Sequence, residues 1–241
     1  VYTAKTGTYG DLDSTSPGGI PPRGKLLVAW NDRLGIGHFE DDPEMYAFAA
    51  RGDKRNWDFD PPVPLATQAI SGDLARAGAS PDIINAMIPY SDDLLIVGGD
   101  RSIWRFTGDP MAGGAIDLVT EENGIAFGSG YAQDPLGNLY CFASRGGVLM
   151  FERGVGHPRM STERNLQRRR ESVDLSQFRI ELVWNWEDTG LHVFQCTLGQ
   201  GGTIVDHWFW DGRTGTWEEG WWPDRFGLAG LQPSSVMVLD G

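Results

Sequence analysis

The sequence predicts an all-β protein of the β-propeller class, built from four-stranded antiparallel blades, and three observations lead to this class. The chain of 241 residues has 33 glycines, 14 prolines and 10 tryptophans and shows no long helical periodicity. Apolar runs rich in β-branched and aromatic residues alternate with turn residues. This pattern repeats roughly every 40 to 55 residues, a period typical of propeller blades.

Residues 88–109 are the clearest copy of the repeat. Asp92 and Asp93 form a turn that leads into the apolar run 94–97, a Gly-Gly-Asp turn follows, and a second run ends at Phe106. The turn glycines can adopt the positive φ angles that tight hairpins require. The stretch therefore predicts a β-hairpin, which an outer strand over 116–120 extends.

The chain begins with an arm and then enters the propeller segment. Residues 1–23, rich in Gly, Ser, Thr, Asp and Pro, predict an extended arm or linker, and residues 24–241 predict the propeller segment. The first unit has strands over 26–30, 34–39 and 45–49, with a fourth, outer strand at 57–59.

Residues 60–87 interrupt the β pattern and predict an insertion. Three prolines form a loop, 66–77 predicts a short helix, and Ser80-Pro81 is typical of the cap and first turn of a second helix over 82–87. One or two short inserted helices are thus expected between the first and second units.

Two further units follow the one at 88–120. The third has strands over 139–143 and 148–151; the fourth has strands over 180–186, 191–197 and 204–210 and an outer strand that carries Trp217. A polar stretch, 161–177, predicts a short helix between them.

Residues 235–239 resemble the first strand of a fifth unit, which the chain leaves incomplete. Because an open propeller leaves strand edges unpaired, we expect either that the natural chain continues with more blades or that residues 1–9 complete the last one. A β-sandwich of the same hairpins is the alternative fold, but the four-strand count favours the propeller.

Charge and cysteine content exclude several classes of function. The net charge is −13, so the surface repels nucleic acid and anionic membranes, and no specific nucleic-acid binding is expected. No apolar run reaches about 18 residues, so no membrane insertion is expected. Cys141 and Cys196 lie in apolar runs and predict two buried thiols rather than a disulfide framework or a thiolate metal site.

The titratable residues do not predict an active site. His38, His157, His192 and His207 are the candidates for a neutral-pH base. His192 and His207 lie in strands of one unit, but no third metal ligand has recognisable spacing, so we interpret them as structural. The carboxylate pairs at 41–42, 92–93, 121–122 and 218–219 are typical of turn caps. We therefore expect a non-enzymatic protein with no catalytic residue, metal or cofactor.

Two groups of side chains are candidates for binding. If exposed, Trp217, Trp221 and Trp222 would form a sugar-stacking or protein-docking surface, whereas if buried they would pack blade against blade. The arginines either form a solvated helix face that pairs with Glu163 and Glu171 or dock an acidic neighbour. The candidate residues are Trp217, Trp221, Trp222, Arg168, Arg169 and Arg170.

The blades carry a set of recurring motifs, mainly within residues 80–215. They are Ile88-Pro89-Tyr90, Asp92-Asp93-Leu94-Leu95-Ile96-Val97-Gly98-Gly99, Ile103-Trp104, Gly108-Asp109-Pro110 with Gly113-Gly114, Asn138-Leu139-Tyr140 and Arg145-Gly146-Gly147. Together these motifs resemble the propeller segments of bacteriophage tail, neck or nozzle proteins. The resemblance implies a virion location, a structural role in a DNA-conducting tail or its attachment site, a homo-oligomeric ring, and other tail or neck proteins as partners. It supplies no catalytic residue.

The turn at 211–217 is similar to motifs of two other propeller families. Asp211-Gly212-Arg213-Thr214-Gly215-Thr216-Trp217 is similar to a turn of quinoprotein dehydrogenase blades and to the Asp box of sialidases, but its spacing differs from both and it occurs once. We interpret it as an Asx-type turn. The alternative function is an extracellular glycan-binding or glycan-cleaving propeller, lectin-like or glycosidase-like, that uses the tryptophans around 217–222.

Overall fold

The chain is all-β wherever the computed structural model describes it. The described residues form four four-stranded antiparallel sheets, one two-stranded sheet and one short 3-10 turn, and no helix among them is long and apolar enough to cross a membrane. The predicted class, with four-stranded antiparallel propeller blades, is confirmed. The described residues are 2–3, 8–9, 17–21, 23–75, 80–128, 130–153, 157–160, 173–198, 203–213 and 221–223.

The first blade follows a two-stranded pairing within the predicted arm. Strands β1 (Tyr2–Thr3) and β2 (Thr8–Tyr9) pair with each other. The blade then runs in chain order through β3 (Gly24–Trp30), β4 (Arg33–Phe39), β5 (Met45–Phe48) and β6 (Ile70–Asp73).

The second blade is the unit that the sequence showed most clearly. Its strands, again in chain order, are β7 (Ile84–Ser91), β8 (Leu94–Gly99), β9 (Ile103–Thr107) and β10 (Ala115–Thr120). The Asp92-Asp93 turn, both inner strands and the outer strand are all as predicted.

The third and fourth blades repeat the same meander. The third blade has β11 (Tyr131–Gln133), β12 (Leu139–Phe142), β13 (Val148–Phe151) and β14 (Arg159–Met160). The fourth has β15 (Phe178–Asn185), β16 (Gly190–Thr197), β17 (Ile204–Asp211) and β18 (Trp221–Pro223).

The helices predicted over 66–77 and 82–87 are wrong, because the described residues there include the strands β6 and β7. Ile70 pairs with Phe48 on β5, and Ile84, fully buried, joins the core. Sheet pairing and apolar burial therefore override the cap signal of Ser80-Pro81. Two parts of the range 60–87 that we interpreted as an insertion, residues 70–73 and 84–87, thus belong to blade strands.

The fourth strand predicted at 57–59 is also absent, because β6 occupies that place in the first sheet. Trp57 is instead buried against Ile36 and Ala47, and its backbone N–H donates to the carbonyl of Pro17 at 2.8 Å. Of the predicted helix over 161–177, residues 161–172 lie outside the described part and 175–177 form a turn. Trp217 and the strand at 235–239 also lie outside it.

The chain divides into two compact units, Val1–Leu118 and Val119–Gly241. In the first unit, the first blade packs its face against the second blade. Gly37 on β4 makes this contact close, because a Cβ there would lie 2.6 Å from Sδ of Met87 on β7. The buried core consists of Val28, Trp30, Tyr46, Phe48, Leu74, Ile84, Met87, Leu95, Val97, Trp104 and Phe106.

In the second unit, the third and fourth blades share a core of large aromatic rings. Tyr140 on β12 stacks on Trp184 of β15 with centroids 5.6 Å apart, and Phe142 stacks on Trp208 at 6.5 Å. Such offset ring pairs add to the area that the two sheets bury. Large aromatic rings therefore pack the third blade against the fourth in this unit.

The core assignment predicts a large difference between two identical leucine substitutions. Leu95 on β8 is fully buried, so Leu95→Ala is expected to lower the free energy of unfolding by about 2–5 kcal/mol. Leu27 on β3 is 72% exposed, so Leu27→Ala is expected to change it by less than about 0.5 kcal/mol. Urea denaturation measures both values, and equal losses would contradict this placement of the core.

Candidate functional site

A buried ion pair joins the first blade to the second. Arg33, the first residue of β4, is fully buried, and Asp109, in the loop after β9, is 5% exposed. The guanidinium Nη2 lies 2.8 Å from Asp109 Oδ2 and 3.0 Å from Oδ1, while Nε lies 3.1 Å from Oδ2. This fork-to-fork geometry is the strong form of an Arg–carboxylate contact.

The other polar atoms of the pair also have partners. Arg33 Nη1 donates to the carbonyl oxygens of Ala49 at 2.9 Å and Gln68 at 2.7 Å. Asp109 Oδ1 accepts from the backbone N–H of Met111 at 2.9 Å and caps the 3-10 turn Pro110–Ala112. The pair thus holds the backbone at Ala49, Gln68 and Met111 in place, which is a structural role.

Above the ion pair lies a cleft of about 290 Å³ between the β3–β4 hairpin and the β7–β8 hairpin. Its volume is close to the lower end of the range for small-ligand sites. The lining residues are Ala29, Trp30, Asn31, Asp32, Arg33, Lys54, Pro89, Ser91 and Asp92.

The shape of the cleft is set by backbone geometry and one hydrogen bond. Asn31 and Asp32 have φ angles of 49° and 56°, and Trp30 pairs with Arg33, which is the pattern of a two-residue type I′ turn. The indole N–H of Trp30 donates to the carbonyl of Ser91 at 3.1 Å and ties one hairpin to the other. The two walls are therefore held at a constant separation.

A histidine pair lies on one face of the fourth blade. His192 on β16 and His207 on β17 stack with centroids 5.1 Å apart, and Nδ1 of His192 lies 2.9 Å from Nε2 of His207. Phe194 stacks on His207 at 4.4 Å, and Phe209 lies 4.6 Å from His192. The sequence placed the two histidines on strands of one unit, and the structure brings them into direct contact.

The surroundings of His192 favour its neutral imidazole. Burial, together with the neighbouring His207, lowers the pKa of His192 to about 4, although Asp188 opposes the shift. In the part of the chain that the structure describes, no three His, Cys, Asp or Glu side chains are grouped as a metal site would need. The contact is that of two stacked rings that share one hydrogen bond.

Buried carboxylates elsewhere hold turns. Asp82 Oδ2 accepts from the N–H groups of Arg101 and Ser102, both at 2.9 Å, and from the Ser102 hydroxyl at 2.7 Å. Asp134 accepts from Asn138 and, at 2.9 Å, from the Tyr140 hydroxyl. Burial and the Asp134 charge raise the pKa of Tyr140 above its usual range, so the phenol stays protonated.

Several residues singled out in the sequence can now be placed. Cys141 and Cys196 are buried free thiols, as predicted, and burial raises the pKa of both. The Asp211 turn has the predicted Asx geometry, since Oδ1 accepts from the Arg213 N–H at 2.9 Å. Arg33 was missed because its partner is 76 residues away in another repeat.

The candidate binding residues are not brought together by any described contact. Trp221 and Trp222 lie in the edge strand β18, where Trp222 pairs with Phe209 and Trp221 with Trp210, but their side chains are not described. Trp217, Arg168, Arg169 and Arg170 lie outside the described residues. Their binding roles stay predictions.

Comparison with known proteins gives a similarity of fold only. No protein-family model and no curated protein matches the chain. The solved structures similar to it include two β-propeller proteins, YCF48 bound to D1 peptide and a quinoprotein alcohol dehydrogenase-like protein from Bacteroides thetaiotaomicron.

The measures of this similarity are low. YCF48 gives 12% identity and a TM-score of 0.45, with 83% of this chain and 51% of that chain covered. The quinoprotein-like structure gives 11% identity and a TM-score of 0.44, with 77% and 42% covered. The chain therefore spans about half the length of these structures or less, and scores below 0.5 do not bear on its function.

The ion pair predicts non-additive effects of substitution. Arg33→Met leaves the Asp109 carboxylate buried without its cation and is expected to cost about 3–5 kcal/mol of unfolding free energy; Asp109→Asn strands the guanidinium at a similar cost. The double variant removes both charges and is expected to lose at least about 1 kcal/mol less than the sum of the two single losses.

Urea denaturation of the four proteins measures this coupling. Arg159→Met is the matched control, because Arg159 pairs with Glu152 at 2.8 Å at the surface and its loss is expected to cost less than about 1 kcal/mol. Strictly additive losses at Arg33 and Asp109 would show that the pair does not act as a unit.

The histidine pair predicts a pH dependence of stability. Because the pKa of His192 is about 4 in the folded chain against an ordinary 6.5, the unfolded chain binds more protons in this range. Stability is therefore expected to fall as pH drops from about 6.5 to about 4, and His192→Gln is expected to reduce that fall. Urea denaturation midpoints of the unchanged chain and of His192→Gln, at pH 7 and pH 5, measure this fall in stability. An equal reduction in His157→Gln, which removes an exposed histidine, would contradict this assignment.

Proposed function

We propose that this chain is a non-enzymatic structural component of a bacteriophage tail, neck or nozzle-like assembly. The observation that carries the proposal is the use of its buried charged and polar side chains. Arg33 and Asp109 join two blades, and Asp82 and Asp134 hold turns. These groups accept or donate hydrogen bonds that stabilise the fold, and a rigid fold is what a subunit under mechanical load requires.

The motif resemblance supports the same role. The loop Gly108-Asp109-Pro110 is one of the motifs that resemble phage propeller segments, and Asp109 is the partner of buried Arg33. The motif Asn138-Leu139-Tyr140 supplies two of the groups that bind Asp134. Asp109, Asn138 and Tyr140, which belong to the motifs that carry the resemblance, therefore also stabilise the blades.

The charge of the chain agrees with a place beside a DNA path. A protein of net charge −13 repels the phosphate backbone at long range, so a wall made of such subunits would let DNA pass without retaining it. In this proposal the partners are further copies of the chain in a homo-oligomeric ring and other tail or neck proteins.

Localisation in particles tests the proposal. Antibodies raised against the purified chain, with immunogold labelling of virions from the phage that encodes it, are expected to mark the tail or neck at one position per particle. Mass spectrometry of the same purified particles is expected to find the chain in multiple copies. Labelled particles are compared with particles treated with pre-immune serum. Absence of the chain from intact particles would overturn the proposal.

The alternative hypothesis, a glycan-binding or glycan-cleaving propeller, depends on Trp217, Trp221 and Trp222. The structure does not describe the side chains of these three tryptophans, so this function stays a prediction. Glycan-array binding by the purified chain that is lost in Trp222→Ala would favour it over the virion role.

A further inference from the structure

We infer that the cleft between the β3–β4 and β7–β8 hairpins is a binding site for a basic side chain, arginine or lysine, presented by a partner protein. The cleft has a volume of about 290 Å³. It is lined by residues from the β3–β4 hairpin, by Lys54 in the loop after β5, and by residues from the β7–β8 hairpin. Four features of these residues select this class of ligand.

The first feature is a pair of carboxylates that the fold does not use. The buried carboxylates of Asp82, Asp109 and Asp134 each accept hydrogen bonds from turns or from the neighbouring blade. By contrast, the exposed side chains of Asp32 and Asp92, at the tips of the two hairpins, make no hydrogen bond or ion pair to another described residue. Both line the cleft and are free to accept from a ligand.

The second feature is the charge balance of the lining. Arg33 lines the cleft, but Asp109 neutralises it through the bidentate contact at 2.8 Å and 3.0 Å. Lys54 is then the remaining cation against Asp32 and Asp92. The local charge is therefore negative, within a chain whose net charge is −13, and both favour a cation.

The third feature is the apolar part of the lining. Ala29 and Pro89 line the cleft and can pack against the methylene stem of a lysine or arginine whose charged head lies at the carboxylates. Trp30 is 3% exposed, and its N–H is bound to Ser91, so it offers no open ring face on which a sugar could stack. The cleft thus suits a basic side chain better than a glycan.

The fourth feature is the preformed shape. The Trp30–Ser91 hydrogen bond, the Arg33–Asp109 pair and the type I′ turn at Asn31 and Asp32 hold both walls before any ligand arrives. Binding therefore requires little ordering of the site, which preserves affinity for a small group. The inference does not depend on the virion role, because it concerns the purified chain alone.

Fluorescence anisotropy with a labelled peptide tests the inference. The probe is a five-residue peptide that carries one arginine between glycines, and the matched probe has citrulline, which has nearly the same shape but no charge. The arginine peptide is expected to bind more tightly than the citrulline peptide, by about tenfold, because the charged form makes the stronger hydrogen bonds to carboxylates.

Variants then locate the site. Asp32→Asn combined with Asp92→Asn is expected to weaken binding of the arginine peptide about tenfold, and Lys54→Gln is expected to strengthen it a few-fold. The matched control is Asp41→Asn combined with Asp42→Asn, in the exposed β4–β5 turn at the other end of the sheet, which changes the net charge by the same amount.

The outcomes separate the cleft from the general charge of the surface. A loss in the Asp32 and Asp92 variant, with binding retained in the Asp41 and Asp42 variant, supports the inference. Equal losses in both variants show attraction by net charge alone and overturn it. Equal affinity for the two peptides, or no binding of either at millimolar concentration, also overturns it. Circular dichroism melts of all variants confirm that each one is folded.

Discussion

The structure of the first unit depends on the buried Arg33–Asp109 pair. Removing a guanidinium and a carboxylate from water costs several kcal/mol per ion, and attraction offsets this cost only when the geometry is good and every remaining donor has an acceptor. The carbonyls of Ala49 and Gln68 accept from the guanidinium, and the backbone N–H of Met111 in the 3-10 turn donates to the carboxylate. The first blade, the second blade and the loop after β9 are therefore constrained together.

Buried carboxylates also accept hydrogen bonds in the turns, where the geometry needs to be less exact than in the ion pair. Asp82 and Asp134 are each nine-tenths or more buried and accept several hydrogen bonds, as a buried carboxylate must. Asp82 accepts them from the turn between β8 and β9, and Asp134 from its own turn and from Tyr140. Exposed carboxylates such as Asp32 have no such requirement. This contrast divides the acidic residues into those that stabilise the blades and those that remain available to a ligand. It also connects the proposed structural role with the proposed cleft.

Much of the fold, but little of the site, could be predicted from the sequence. The hairpin around Asp92 and Asp93 is specified locally by alternation and turn residues, so prediction and structure agree there. His192 and His207 were placed on strands of one unit for the same reason. The cleft and the ion pair could not be found in this way, because Arg33 and Asp109 come from separate repeats and no local pattern states which side chains of two repeats will meet.

The sequence by itself determined the all-β class, the four-stranded repeat and the burial of Cys141 and Cys196, because strand alternation, turn chemistry and apolar runs are properties of neighbouring residues. Tertiary structure alone decided that β6 and β7 replace the predicted helices. Ile70 and Ile84 gain more from pairing in a sheet and packing in the core than the Ser80-Pro81 cap can provide. It also decided the sheet contacts, since the packing of one blade on another depends on shape and burial over long sequence distances.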